Sequence, residues 1–308
     1  MPITIDDIAR QLQVSVSTVS KALNGYGDIS PATRQRVLDA ARELDYHPSA
    51  AARTLRRQRT DKIGFLYSFP TAYIGEFASR IINGVVSEAE DQGFNLTLYP
   101  VRDNWQDYMV RICRMRDVDG LLVMGSGLAE RMVALLAQEG MPCVVLNRRV
   151  ADPQASFVTA DHEDGGYQVA RHLIDQGHRR IAHITREGLG AINDDRLAGY
   201  CRALAEAGLA FDPGLALETA MQPGSIRIAL GELLERHDPP TAAAAINDIA
   251  ALECLEAAAQ RGLAAPHHFA VVGSDNNRIS LTSTPALTTL HPPLAEMGRR
   301  ATRALLSQ

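Results

Sequence analysis

Apolar positions in the first part of the chain recur with a helical period. Ile5, Ile8, Ala9 and Leu12 fall on one face, which predicts a short amphipathic helix. Thr4 precedes it and Asp7 follows three residues later, a carboxylate variant of the capping box. Ser15 signals a second start, and 16–23 forms another short helix that stops at Asn24-Gly25, a left-handed C-terminal signal. Two short helices joined by a tight turn read as a helix-turn-helix. Ser30-Pro31 opens a third helix through Leu44 with Val37, Leu38, Ala41 and Leu44 inward, serine capping and proline taking the first helical position.

From residue 62 the pattern changes to short β-rich runs alternating with amphipathic ones. The runs at 63–67, 95–100, 119–124, 142–147, 156–160, 180–185, 242–246, 269–273 and 286–290 predict strands. Between them, helices are expected at 76–92, 128–138, 163–176, 195–206 and 249–261. Such alternation predicts an α/β architecture with parallel sheets, right-handed crossovers and ligands beyond the carboxyl ends of the strands. A body of this length is large for one open sheet, so two subdomains with a cleft between them fit better.

Composition narrows the class. With 46% hydrophobic and 22% charged residues, the chain is globular rather than disordered or collagenous. Aromatic residues are 5% and Trp105 is the single tryptophan, so the core must be mostly aliphatic. No apolar run reaches the length of a membrane helix, and acids stand where a signal peptide would be apolar; a cytoplasmic protein is expected. Cys113, Cys143, Cys201 and Cys254 are far apart with no C-x-x-C pair, which argues for buried thiols over disulfides or zinc. Residues 1–60 carry nine basic against six acidic side chains, whereas the remainder carries 22 against 30. A basic head therefore sits on an acidic body.

The second helix suits double-stranded DNA. Val19 and either Ala22 or Leu23 turn inward, leaving Val16, Ser17, Ser20 and Lys21 outward. A small apolar group suits a thymine methyl, hydroxyls suit several base edges, and lysine suits guanine O6 and N7. The same residues also suit a solvated helix face; the next segment decides. Residues 46–60 place Pro48, small Ala residues including Ala52, and arginines including Arg56 around one large apolar side chain, Leu55. So short an Ala-rich stretch cannot hold a helix alone. It can order on DNA, with arginines on phosphates and Leu55 wedged between base steps in the minor groove; the alternative is a basic flexible linker.

These residues carry a resemblance. TIDDIARQLQVSVSTVSKALNG and ISPATRQRVLDAARELDYHPSAAARTLRRQRTDKIGFL resemble the DNA-binding head and hinge of the lactose-repressor and galactose-repressor family. The likeness continues through VDGLLVMGS, ADHEDGGYQVARHLIDQGHRRIAHI, DDRLAGYCRAL, PPTAAAAINDIAALECLEAAAQRGL and VVGSDNNRISLTSTPALTTLHPPLAEMGRRA, nearly the whole chain in order. It implies an all-α helix-turn-helix domain at 1–47, a hinge helix and linker at 48–61, and a periplasmic-binding-protein-like effector and dimerisation domain of two parallel-sheet subdomains at 62–308. It places Val16, Ser17 and Lys21 on base-reading positions, Arg34 near the DNA backbone and Leu55 on the intercalating hinge position. Thr4, Thr18, Ser20, Asn24, Ala52 and Arg56 complete the expected DNA-facing set.

Strand ends supply the cleft candidates. Asn147 and Arg148 end one strand, Asn247 and Asp248 another, and Asp275 and Asn276 a third, with Arg196 at a helix start after a Gly-rich loop. An arginine fork among carboxylates and amides binds hydroxyls or a carboxylate bidentately, which suits a sugar or sugar acid. Asp161 and Ser126 join the candidates, although Asp161 and Asp248 also read as helix N-caps and Asn276 as a turn residue. In the family, positions matching Arg196, Asn247 and Asp275 line the effector pocket, and Phe77 matches an aromatic at its mouth. Two departures bear on the ligand: Ser274 stands where the family usually has an aromatic, and the stretch 68–75 is longer than usual. Gln308 falls where members usually continue with another strand.

Catalytic motifs do not appear. Gly125-Ser126-Gly127 is too short for a nucleophile elbow, no Walker A or complete G-x-G-x-x-G occurs, and His267-His268 lacks helical metal spacing. The acid pairs Glu163-Asp164 and Asp194-Asp195 sit at expected helix starts, where the macrodipole favours them. Neither an enzyme nor a cofactor is expected. The sequence reads as a homodimeric transcriptional regulator, more often a repressor in this family, on a near-palindromic operator, without deciding whether the effector releases or promotes binding. The rivals are a sugar-binding module and a sugar-processing enzyme.

Overall fold

The structure, a computed structural model, describes residues 3–46, 59–68, 75–101, 104–125, 129–220 and 222–308. The chain divides into two compact units, 1–60 and 61–308. Among the described residues, no helix is long and apolar enough to cross a membrane.

The head contains α1 (Ile5–Leu12), α2 (Val16–Leu23) and α3 (Pro31–Glu43). Each start carries the cap its sequence announced. Thr4 and Asp7 close a full capping box on α1, Ser15 Oγ accepts from the Thr18 N–H at 3.0 Å, and Ser30 Oγ from the Thr33 N–H at 3.2 Å. Helix α2 ends ahead of Gly25, whose φ of 76° is the left-handed conformation glycine adopts without strain. Ile8, Ala9, Val19, Ala22, Val37, Ala40 and Ala41 form the core. The expected inner face of α3 therefore needs correction: Ala40 is buried, while Leu38 is only half-buried.

The body consists of two parallel sheets. The first orders as β2 (Asn95–Pro100), β1 (Lys62–Ser68), β3 (Gly120–Gly125), β4 (Cys143–Leu146) and β5 (Ser156–Val158); the second as β10 (Thr288–Leu290), β9 (Ala270–Ser274), β8 (Ala242–Ala245), β6 (Ile181–Arg186) and β7 (Ala216–Thr219). Every pairing is parallel. The helices are α4 (Glu76–Asp91), α5 (Trp105–Met115), α6 (Ala129–Gln138), α7 (His162–Asp175), α8 (Ala191–Glu206), α9 (Ser225–Leu234), α10 (Asp248–Ala259), α11 (Arg278–Thr282) and α12 (Leu294–Leu306). Strand β7 and helices α5, α9 and α11 were not among the elements expected from the sequence, and α8 begins four residues earlier than expected. The acid pair Asp194-Asp195 marked the expected start, but the cap is Gly190 one turn upstream.

The chain passes from the first lobe to the second after β5 and returns after β10, so α12 packs on the first lobe. Glycines make this seam possible. A Cβ on Gly84 of α4 would collide with the Ala295 carbonyl, and one on Gly298 of α12 with the Ile81 carbonyl. The second lobe repeats the device: a Cβ on Gly166 of α7 would meet the Arg196 backbone, and one on Gly199 of α8 the Glu163 carbonyl. Both seams bring backbone against backbone, and neither neighbour can swing aside as a side-chain tip can.

Gly84→Ala should therefore destabilise the body by about 1–3 kcal/mol through overpacking, read as a lower denaturation midpoint with an unchanged m-value. An unaltered midpoint contradicts the close helix contact.

Candidate functional site

In the head, α2 exposes Val16, Ser17 and Asn24, with Thr18, Ser20 and Lys21 half-buried. Their polar groups are already oriented. Ser17 and Thr18 hydroxyls bond Ser15 Oγ at 2.7 and 2.8 Å, Asn24 Nδ2 donates to the Ser20 carbonyl at 2.6 Å, and Lys21 pairs with Asp28. Thr4 is engaged in the α1 capping box, and Arg34 donates to the Tyr26 carbonyl. Ala52, Leu55, Arg56 and the expected hinge lie outside the described residues, as does Ser126.

In the body, the second-lobe candidates converge on Arg196. The glycine seam between α7 and α8 sets its backbone against α7, and its side chain turns to the carboxyl ends of β8 and β9. There Nη1 donates to the Ile246 carbonyl at 2.8 Å and Nη2 to Ser274 Oγ at 3.3 Å, while Nε is buried without a partner. Ser274, fully buried, accepts this bond where the family pattern has an aromatic ring.

Asp275 is also buried, yet no ion pair joins it to Arg196. Its φ of 99° is a left-handed conformation rare for aspartate. Asn276 follows at 50°, so two consecutive left-handed residues aim this strand end. Burial pushes the Asp275 carboxyl up to about 7, against the opposing pull of Arg196. Asp248 is raised as well, chiefly by burial; it accepts from the Asn277 N–H at 2.7 Å and from the Thr289 hydroxyl. Asn247 Oδ1 accepts from the Ala250 N–H at 2.8 Å and so caps α10, and Asp161 does the same for α7 through the Asp164 N–H at 2.8 Å. The capping alternative therefore holds for Asp161, which is exposed, but not for Asp248: the cap of α10 is Asn247, and Asp248 is the first residue of the helix.

The first lobe contributes the end of β4. Asn147 takes a φ of 64°, tolerated by asparagine, with its Oδ1 buried and unpartnered. Its carbonyl lies 3.3 Å from Nε2 of His162 at the start of α7. Arg148 is buried beside it. Phe77 is half-buried and packs on the first-lobe core. Further interlobe contacts bridge the cleft: Arg80 Nη1 donates to the Asp275 carbonyl at 2.7 Å, the Arg278 N–H donates to Glu76 Oε2 at 2.7 Å, and Arg149 pairs with Asp195.

Two histidines were missed by sequence reasoning. His162 and His183 are held down to about 4, first by burial and then by the positive charge of Arg196. His183 stands in the middle of β6, its ring 4.9 Å from Tyr200 and both nitrogens unpartnered. A polar residue at an inward position of RIAHIT was the available signal. Arg80, on the exposed run of α4, left none.

The raised Asp275 carboxyl has a consequence for stability. The folded protein holds that proton when the unfolded chain has released it, so stability from this group is complete below about pH 4 and lost as pH rises to about 7. Asp275→Asn should raise the melting temperature relative to the parent at pH 8, with the gain vanishing near pH 4; a pH-independent gain refutes the assignment.

The comparisons agree with this geometry. A family model described as bacterial regulatory proteins, lacI family, matches residues 4–49, and one described as a periplasmic binding protein-like domain matches 170–308. The HTH-type transcriptional repressor PurR of Vibrio campbellii (strain ATCC BAA-1116) is 35% identical over 309 residues, covering 99% of this chain and 91% of that protein. PurR of Aliivibrio salmonicida (strain LFI1238) is 33% identical over 308 residues, covering 99% and 92%. Among solved structures, the complex of the transcriptional regulator CelR with cellobiose superposes with a TM-score of 0.76 at 30% identity, covering 99% of this chain and 92% of that one. The Lac repressor dimer bound to operator and the anti-inducer ONPF gives 0.84 at 26% identity, covering 100% and 92%. With a helix-turn-helix head, two parallel-sheet lobes and relatives along the whole chain, this protein belongs to the lacI family and is a DNA-binding transcriptional repressor that senses a small molecule, not an enzyme.

Proposed function

We propose that the head reads a near-palindromic operator through α2, and that a sugar or sugar acid in the interlobe cleft controls this binding. Val16, Ser17 and Lys21 face the bases, with Lys21 exchanging Asp28 for guanine; Thr4, Thr18, Ser20, Asn24 and Arg34 orient the helix or meet the backbone. Ala52, Leu55 and Arg56 belong to the hinge segment that orders on DNA. The protein acts as a dimer in the cytoplasm, where the operator is. Ile228, Ile249, Ile279 and Leu281, on α9, α10 and α11, are exposed apolar residues that a twofold partner would cover.

The observation that carries the effector reading is the pair Arg196 and Asp275: a guanidinium whose Nε is buried without a partner, and a buried carboxyl that no ion pair joins to it. Adjacent hydroxyls of a sugar, donating to one and accepting from the other, complete both. Asn147, with a buried unpartnered Oδ1, offers a further acceptor from the opposite lobe, and Asn247, Asp161, Ser126 and Phe77 remain candidates for the same ligand. Cellobiose in the CelR complex supports a carbohydrate as the ligand class. Effector binding acts on DNA by favouring one arrangement of the lobes over another, which requires unequal affinity for the two.

Arg196→Ala should abolish the effector response in an operator gel-shift titration while operator affinity without effector stays within about twofold; a retained response removes Arg196 from the cleft function. Lys21→Ala should weaken operator binding by about 1–3 kcal/mol at one base-pair position and leave binding to random DNA nearly intact. Equal losses on both DNAs place Lys21 on the phosphates instead.

A further inference from the structure

Arg148 is not explained by the clamp around Arg196. It extends from the end of β4 in the first lobe and is only 9% exposed. Nη1 makes one long bond, 3.4 Å, to the Gly125 carbonyl, and Nε is buried and unpartnered. Among the described residues, no carboxylate lies within ion-pairing distance of it. The acids of the neighbouring elements are engaged elsewhere: Asp195 pairs with Arg149, and Asp161 caps α7.

The guanidinium faces the second lobe at the start of α8. Its Nη2 lies 3.2 Å from the point where a Cβ on Gly190 would stand. Gly190 is the N-cap, has φ 52° and ψ −124°, and brings no side chain to the first turn. That conformation is open to glycine and strained for other residues. A buried permanent cation thus stands against the positive end of a 16-residue helix whose first-turn acid, Asp194, is exposed and makes no ion pair with Arg148. Either alone attracts an anion; together, unpaired, they cost free energy in the empty state.

We propose that the effector carries an anionic group, a carboxylate or a phosphate, bound by the Arg148 guanidinium beside the first turn of α8. This rests on the reading of the cleft as the effector site and sharpens its chemistry. The five donors of the guanidinium form a planar fork matched to either oxyanion. Because Arg148 belongs to one lobe and α8 to the other, the anion ties the two lobes together, whereas a neutral sugar held by Arg196 and Asp275 engages mainly the second lobe.

The test uses the full chain and inorganic phosphate as probe, against chloride at matched ionic strength. Phosphate at about 20 mM should raise the melting temperature of the parent by at least about 2 °C, and Arg148→Gln should lose that shift while circular dichroism shows the same fold. Arg148→Lys, which keeps charge without the fork, should retain part of it. No shift in the parent, or equal shifts in parent and Arg148→Gln, overturns the proposal. Calorimetry with a hexose, its uronic acid and its 6-phosphate then separates the two sources: the preferred anionic form should lose about tenfold or more in affinity in Arg148→Gln, approaching the neutral hexose. If Arg196→Gln leaves every sugar unaffected while the phosphate shift still depends on Arg148, the clamp reading fails and the anion site stands.

Discussion

Much of the second lobe follows from the burial of one charge that cannot be shed. Arginine stays protonated, so Arg196 must be accommodated as a cation inside the fold. It is held by neutral dipoles, the Ile246 carbonyl and the Ser274 hydroxyl, and not by a paired carboxylate. Its field adds to the burial that keeps His162 and His183 neutral, and opposes the burial that raises Asp275. The backbone that carries it is fixed by a helix seam in which glycine is required at Gly166 and Gly199. A cation positioned by backbone contact is difficult to move without moving a helix, which is what a sensor of lobe arrangement requires.

The contacts that join the lobes have a different character. Arg80 on backbone carbonyls, Glu76 on the Arg278 N–H and the Arg149–Asp195 pair are polar, and partly exposed. Partly exposed ion pairs of this kind contribute little net stability. By contrast, each lobe holds its sheet with an aliphatic core of its own. The interior of each lobe is therefore rigid on the scale at which the boundary between them is exchangeable, so a ligand of modest differential affinity can redistribute the arrangements.

How legible this was depends on what kind of signal each residue leaves. Caps and breaks were plain: Thr4, Ser15, Ser30 and Gly25 act locally, and the head follows from them. Nine of the strands were readable, those at the sheet centres as continuous aliphatic runs, while β7, an edge strand of sequence Ala-Leu-Glu-Thr with one large apolar side chain, was not. Helix α5 hides its buried Trp105, Met109 and Ile112 among polar residues. The start of α8 misled because its acids suggest a cap, whereas the cap is a glycine whose role depends on Arg148 from the other lobe. Strand ends exposed Arg196, Asp275, Asn147 and Arg148 as candidates. Their partners, His162, His183 and Arg80, are brought in by tertiary packing, which leaves no periodic trace.

The return of the chain to the first lobe has a consequence in time as well as in space. Helix α12 covers the apolar face around Ile81 and Val85, yet it is synthesised only after every strand of the second lobe. During translation the second lobe can therefore close its core while the first still lacks a helix and leaves aliphatic surface open to the ribosome's surroundings. Completion of the first lobe is the later event, and the nascent chain with that groove uncovered is the species on which chaperones would act.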